Sequence, residues 1–154
     1  MEIIVTDEMD ERFIDFCKSF GCVLDEPQVV LLLVNYTSTV GCASFKVYDA
    51  DSIEINSLFV DSLKNREELS YKLIKQLEKI AIDLEFRASS VYLDEADLAL
   101  EIFKKLDYQI VSSGDEILIK KEFRSLIEAS LRNLLTTKSL SRDNKNDAAL
   151  GPCF

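Results

Sequence analysis

At 154 residues, 47% of them hydrophobic, the chain is long enough for one domain with a sizeable core, and wholesale disorder is excluded. A net charge of −10 argues against nucleic acid as a partner, because phosphate binding needs a basic face. The longest apolar run, 29–34, is six residues, far short of the roughly 20 that span a bilayer; with no apolar leader after Met1, a cytoplasmic protein with no membrane contact is expected.

Ile3, Ile4 and Val5 read as a short strand. Asp10 opens a helix whose Phe13, Phe16, Cys17 and Phe20 recur at helical spacing, and Gly21 is a suitable stop. The continuous apolar run over 29–36 predicts a strand buried on both faces. Thr37-Ser38-Thr39 is expected to turn into a strand over 42–48, and Asp49-Ala50-Asp51 into another over 52–60. Strands joined by such short turns form an antiparallel meander.

The period then changes. Leu69, Leu73, Leu77, Ile80 and Leu84 share one face of a helix over 66–85. A short strand over 90–93 follows, then a helix marked by Leu98, Ile102, Phe103 and Leu106 with Asp94 as its expected cap. Strands over 108–112 and 116–121 meet through the turn Ser113-Gly114-Asp115. Leu126, Ile127, Leu131, Leu134 and Leu135 form an amphipathic helix over 124–138, and the polar end from Ser139 is expected to be a flexible tail. A strand, a crossover helix and a second strand in one sheet run parallel. The strands over 52–60 and 90–93 are therefore expected to be parallel within an otherwise antiparallel sheet.

The four cysteines, Cys17, Cys22, Cys42 and Cys153, form no C-x-x-C pair, and there is no histidine. Buried reduced thiols, a reducing compartment and no metal site are expected. Charge is uneven: residues 121–154 carry six Lys/Arg against four Asp/Glu, a balance of +2, so the first 120 residues hold −12. An acidic body draws cations, including a cationic amine.

This element order resembles the GNAT (general control-related N-acetyltransferase) superfamily over residues 1–122. The stretch Ile53-Glu54-Ile55-Asn56-Ser57-Leu58-Phe59-Val60, a loop, a helix bearing Leu73-Ile74, and Ile102-Phe103-Lys104-Lys105-Leu106-Asp107-Tyr108 look like that family's valine-ended strand, phosphate loop and helix, and "YxxLGF" ending. The resemblance implies an α/β (α+β) fold: a mixed, mostly antiparallel sheet with helices on both faces. Here an extra C-terminal helix over 123–138 and a tail over 139–154 follow the acyltransferase domain at 1–122.

The resemblance further implies an acetyl-CoA-dependent N-acetyltransferase acting on an amine-bearing small molecule or protein. The two parallel strands splay apart, the pantetheine arm lies between them, and backbone groups of Leu58, Phe59 and Val60 hold its amides. Glu54 stands where some members place a general base. Direct attack on a thioester needs a base for the amine's proton and stabilisation of the oxyanion.

The letters depart from the family at the phosphate loop, R/Q-x-x-G-x-G/A, which corresponds to Asn65-Arg66-Glu67-Glu68-Leu69-Ser70. Only Ser70 is small. Asn65-x-x-Glu68 has the spacing of a capping box, which would use the side chains to satisfy the helix's own amides. Glu67 and Glu68 place two carboxylates where a diphosphate should sit, each like-charge contact costing about 1 kcal/mol; Lys64, Arg66 and Lys72 are the nearby cations. A weakened acetyl-CoA site is expected. Phe103 replaces the family's tyrosine, a common proton donor to the leaving thiolate, and Asp107 its glycine. Residues 21–28 leave little room for the family's second helix. These departures keep open an alternative, a non-catalytic GNAT-like module that binds a protein partner or an acyl ligand, with a homodimer formed through 124–138.

Overall fold

Short turns and β-rich segments make the first half of the chain a meander. β1 (Glu2–Thr6), β2 (Val29–Asn35), β3 (Ser38–Val47) and β4 (Ser52–Val60) are antiparallel neighbours in chain order. These come from a computed structural model that describes residues 1–19, 29–36, 38–61, 65–95 and 97–123. The chain divides into two compact units, Met1–Glu122 and Phe123–Phe154, and the first is described here. The predicted helix over 124–138, the tail, Phe20, Gly21, Cys22, Lys64 and Cys153 lie outside the described residues.

The turn predicted at 37–39 falls earlier. Asn35 already pairs with Ser38, and Tyr36 takes the left-handed φ of 54° that so tight a link requires. The turn at 49–51 stands where predicted: the Tyr48 amide donates to the Ser52 carbonyl (2.9 Å), and Asp49 Oδ1 accepts from the Asp51 amide.

α1 (Glu11–Ser19) buries Phe13, Phe16 and Cys17 on Val30, Leu32 and Cys42, with Ile4, Val34 and Phe59 at the margin. Asp10 caps it, accepting the Arg12 amide (2.8 Å), the Arg12 guanidinium and the Thr6 hydroxyl. Those bonds hold its carboxyl well below the usual range. Successive strand residues face opposite sides, so Leu31, Leu33, Ala43 and Phe45 face the other layer, formed by α2 (Arg66–Asp83). Helices thus cover both faces of the sheet.

α2 buries Leu69, Leu73, Ile74, Leu77, Glu78 and Ala81. The predicted stripe holds through Leu77 and then diverges: Ile80 is only half-buried and Leu84 is exposed. A charged residue, Glu78, takes the inward position instead because it has a partner there, Lys121, 3.0 Å away. β5 (Ala88–Leu93) returns parallel to β4, α3 (Ala99–Lys105) follows, and the hairpin of β6 (Gln109–Ser113) and β7 (Ile117–Glu122) completes the order β1-β2-β3-β4-β5-β7-β6. The predicted cap Asp94 is replaced by Asp97, whose Oδ1 accepts the Ala99 amide (2.9 Å), and Leu98 is exposed rather than buried. Among the described residues Asp94 contributes its carbonyl, to the Asp97 amide.

Candidate functional site

β4 and β5 start together and then part. The Asp51 carbonyl accepts both the Arg87 and Ala88 amides (2.7 and 3.2 Å), and pairing then runs Ser52↔Ala88, Ile53↔Ser89 and Glu54↔Ser90. It ends there, although β4 continues to Val60 and β5 to Leu93. Each strand follows its outer neighbour. β5 stays paired with β7 through Leu93↔Ile117, while β4 stays with β3 through Val60↔Gly41. Between Phe45↔Ile55 and Ser44↔Ser57 one extra residue, Asn56, is inserted into β4, and such a bulge bends and further twists its strand. From Ile55 to Val60, a stretch that includes Leu58, Phe59 and Val60, β4 is therefore no longer paired with β5. Gly41 secures the far end of β4: a Cβ there would lie 3.0 Å from the Phe59 carbonyl oxygen.

Glu54 marks the point of parting. Its Oε2 lies 3.3 Å from Nζ of Lys46, its partner across β3–β4, and the two side chains are 13% and 30% exposed. Beyond it, at the bulge, Ser44 donates to Asn56 Oδ1, and Ser44 and Ser57 share a hydrogen bond. Since Ser44 has one proton, Ser57 is the donor in that second bond, and its oxygen keeps lone pairs to accept another N–H. The phenol of Tyr92, two residues past the last β5 pair, is held above the usual pKa, chiefly by its neighbour Tyr48, then by burial and the charges of Glu54 and Glu116. Lys46, Ser44, Ser57 and Tyr92 were not read from the sequence. For Lys46 a signal existed: it and Glu54 are symmetric about Ala50, so hairpin register alone pairs them.

The first turn of α2 does not close on itself as the capping-box spacing predicted. The Asn65 side chain makes no cap hydrogen bond; it is the Asn65 carbonyl that accepts the Leu69 amide (2.9 Å). Glu68 turns along the helix to Lys72 (3.6 Å), and Glu67 pairs with Lys105 of α3, whose ammonium is held above its ordinary pKa by that hydrogen bond. The physical reason is competition: a carboxylate with a cation in reach gains more from it than from a neutral amide. Both carboxylates of the predicted phosphate segment are thus paired with lysines. Arg66 is exposed, whereas Leu69 and Ser70 are buried in the core.

Phe103 is buried, its ring edge-on to Tyr108 at 4.9 Å between centroids. The chain's Phe-x-x-Leu-Asp-Tyr has its phenol at the last position, and that hydroxyl does not reach the opening. It is buried, donates to Ser89 Oγ (2.8 Å), and is pushed well above its usual pKa by burial and the Glu78 charge. Among the described residues no cluster of His, Cys, Asp or Glu is placed to hold a metal, and no helix is long and apolar enough to cross a membrane. Cys17 and Cys42 are buried thiols.

Comparison with solved structures gives the fold its name. An aminoglycoside 6'-acetyltransferase type Ii is similar with TM-score 0.67 at 19% identity, covering 79% of this chain and 97% of that one. An aminoglycoside 6'-N-acetyltransferase complexed with coenzyme A gives 0.65 at 16%, over 79% and 97%. A GNAT family acetyltransferase from Elizabethkingia anophelis with acetyl-CoA bound gives 0.58 at 13%, over 78% and 97%. No protein-family model and no curated protein matches the sequence. The described domain has the GNAT fold.

Proposed function

We propose that the protein is an acetyl-CoA-dependent N-acetyltransferase of GNAT type acting on a primary amine. The observation that carries this reading is the parting of β4 from β5 with Glu54 at the last joined position. Main-chain groups of Leu58, Phe59 and Val60 along the open edge are suited to the amides of a pantetheine arm. The first turn of α2, from Asn65 through Arg66, Glu67, Glu68 and Leu69 to Ser70, is the segment left for the diphosphate. Lys72 and Lys105 offset its two carboxylates there. Acetyl-CoA supplies the acyl group as an activated thioester.

An alkyl amine is protonated at neutral pH. Glu54 removes that proton, Ser57 accepts a second N–H to orient the amine, and the acidic body favours a cationic acceptor. The aminoglycoside enzymes among the structural neighbours make an aminosugar the first acceptor to try. A non-catalytic GNAT-like module is favoured by two observations: Phe103 has no proton for a leaving thiolate, and Lys46 already neutralises Glu54.

Calorimetry with acetyl-CoA, followed by thiol release in the presence of kanamycin and spermidine, separates the readings. The expected Kd is weaker than about 10 μM, since the loop lacks the glycines that let backbone amides approach a diphosphate. Glu54→Gln should leave that Kd in place and lower turnover by about 100-fold or more. Binding without thiol release, with or without an amine, selects the module. A Kd of about 1 μM or tighter removes the weakened-loop reading.

A further inference from the structure

We infer that Lys46 is a self-acetylation site, modified by the chain's own acetyl thioester through Glu54. The inference rests on the reading of the β4–β5 opening as the acetyl-CoA cleft. Cross-strand register fixes the placement, because Lys46 and Glu54 are directly opposed on β3 and β4 and so share one face of the sheet. The ammonium lies 3.3 Å from the carboxylate, and that carboxylate belongs to the last β4 residue joined to β5. The opening begins one residue later. The lysine thus holds the position at the base that an incoming amine would take. It is tethered, so its effective concentration there far exceeds that of any dissolved acceptor.

Both side chains are largely shielded from water, Glu54 13% exposed and Lys46 30%, and their contact gives the proton a direct path. The step balances. The Lys46 ammonium gives one proton to the Glu54 carboxylate, and the neutral Nζ attacks the thioester carbonyl carbon. The C–N bond forms and the C–S bond breaks with its electron pair going to sulfur. The second amine proton ends on the thiolate, and Glu54 returns its proton to solvent. The product is an uncharged amide. Glu54 is then left without its cation, open to an amine from outside.

The full chain incubated with acetyl-CoA at several protein concentrations, followed by intact-mass and peptide mass spectrometry, tests the inference. Lys46 should gain one acetyl group at a rate independent of protein concentration, about tenfold or more faster than the exposed Lys72 and Lys104. Glu54→Gln and Glu54→Asp should each slow it by about tenfold or more, while circular dichroism confirms that both variants are folded. Lys46→Arg should abolish the modified peptide. Lys46 modified no faster than Lys72, or equally fast in both Glu54 variants, overturns the inference. If calorimetry shows acetyl-CoA binding while Lys46 stays unmodified, the inference alone falls. If acetyl-CoA does not bind, the cleft reading falls with it.

Discussion

Asp107 stands at φ 71°, a left-handed conformation that favours glycine, and it ends α3 by a defined pattern. The Tyr108 amide donates to the Phe103 carbonyl and the Asp107 amide to that of Lys104, both at 3.1 Å, while the rings of Phe103 and Tyr108 pack together. This is a Schellman end with its hydrophobic contact. It gives a reason for the glycine in the family's ending: the position after the cap must be left-handed. α2 ends the same way, with Glu85 at φ 70° and the Phe86 and Glu85 amides on the Ala81 and Ile82 carbonyls (3.0 and 2.9 Å). Side chains other than glycine lose about 1–2 kcal/mol there, and glycine returns part of that gain as unfolded-state entropy. Glu85→Gly and Asp107→Gly should therefore each stabilise by about 0.5–1 kcal/mol, the gain being larger at Glu85 because aspartate tolerates this region better. Urea unfolding checks both, and a loss at either site would show that its side chain makes a contact outweighing the strain. The first turn of α2 shows the limit of residue-scale reading. Asn65 and Glu68 have the spacing of a capping box, but Lys72 is in reach of Glu68 and Lys105 in reach of Glu67. Spacing within one helix could not register Lys105, which comes from α3.

At the scale of elements, α2 and β7 are joined through the interior by charge. Lys121 donates to Glu78 Oε1 (3.1 Å), lies 3.0 Å from Oε2, and sits 5.8 Å from the centre of the Tyr108 ring. Both side chains are almost wholly buried. Periodicity read α2 well wherever its inward residues are apolar, from Leu69 to Leu77. It failed at Glu78, because an inward carboxylate is legible only once its partner, 43 positions away, is known. Such a pair specifies how the β5–β7–β6 part of the sheet seats on α2, more than it stabilises the fold. Lys121→Met should cost about 3–5 kcal/mol by leaving the Glu78 carboxylate unpaired in the core. Adding Glu78→Leu should recover most of that loss. Chemical denaturation of the two single variants and the double variant measures the coupling; a Lys121→Met change under about 1 kcal/mol would mean that water reaches Glu78.

For the molecule as a whole, the β2–β3–β4 meander and the parallel pairing of β4 with β5 followed from turn lengths and one crossover helix, since short links leave adjacent strands few alternatives. The seating of β7 rather than β6 beside β5 was not read from the sequence. The parting of β4 and β5 was not readable from these residues themselves. It depends on where Asn56 interrupts the β3–β4 ladder and on β5 following β7, both settled by pairings between distant segments. Resemblance supplied that feature, and the register ending at Glu54↔Ser90 gives its physical form. A ligand held along the open edge has a consequence distinct from general tightening. Any ligand of the native state slows the amides that exchange only through global unfolding. A ligand on the β4 edge also slows amides that exchange by local opening, and only where it lies. Saturating acetyl-CoA should therefore protect fast-exchanging amides in 55–60 and in the first turn of α2, and leave those of β1, on the outer edge of the sheet, unchanged. Protection in 55–60 alone would place the pantetheine arm on β4 but leave the diphosphate off the helix, as expected if Glu67 and Glu68 still repel it. Uniform slowing with no local excess would exclude the β4 edge as the binding surface.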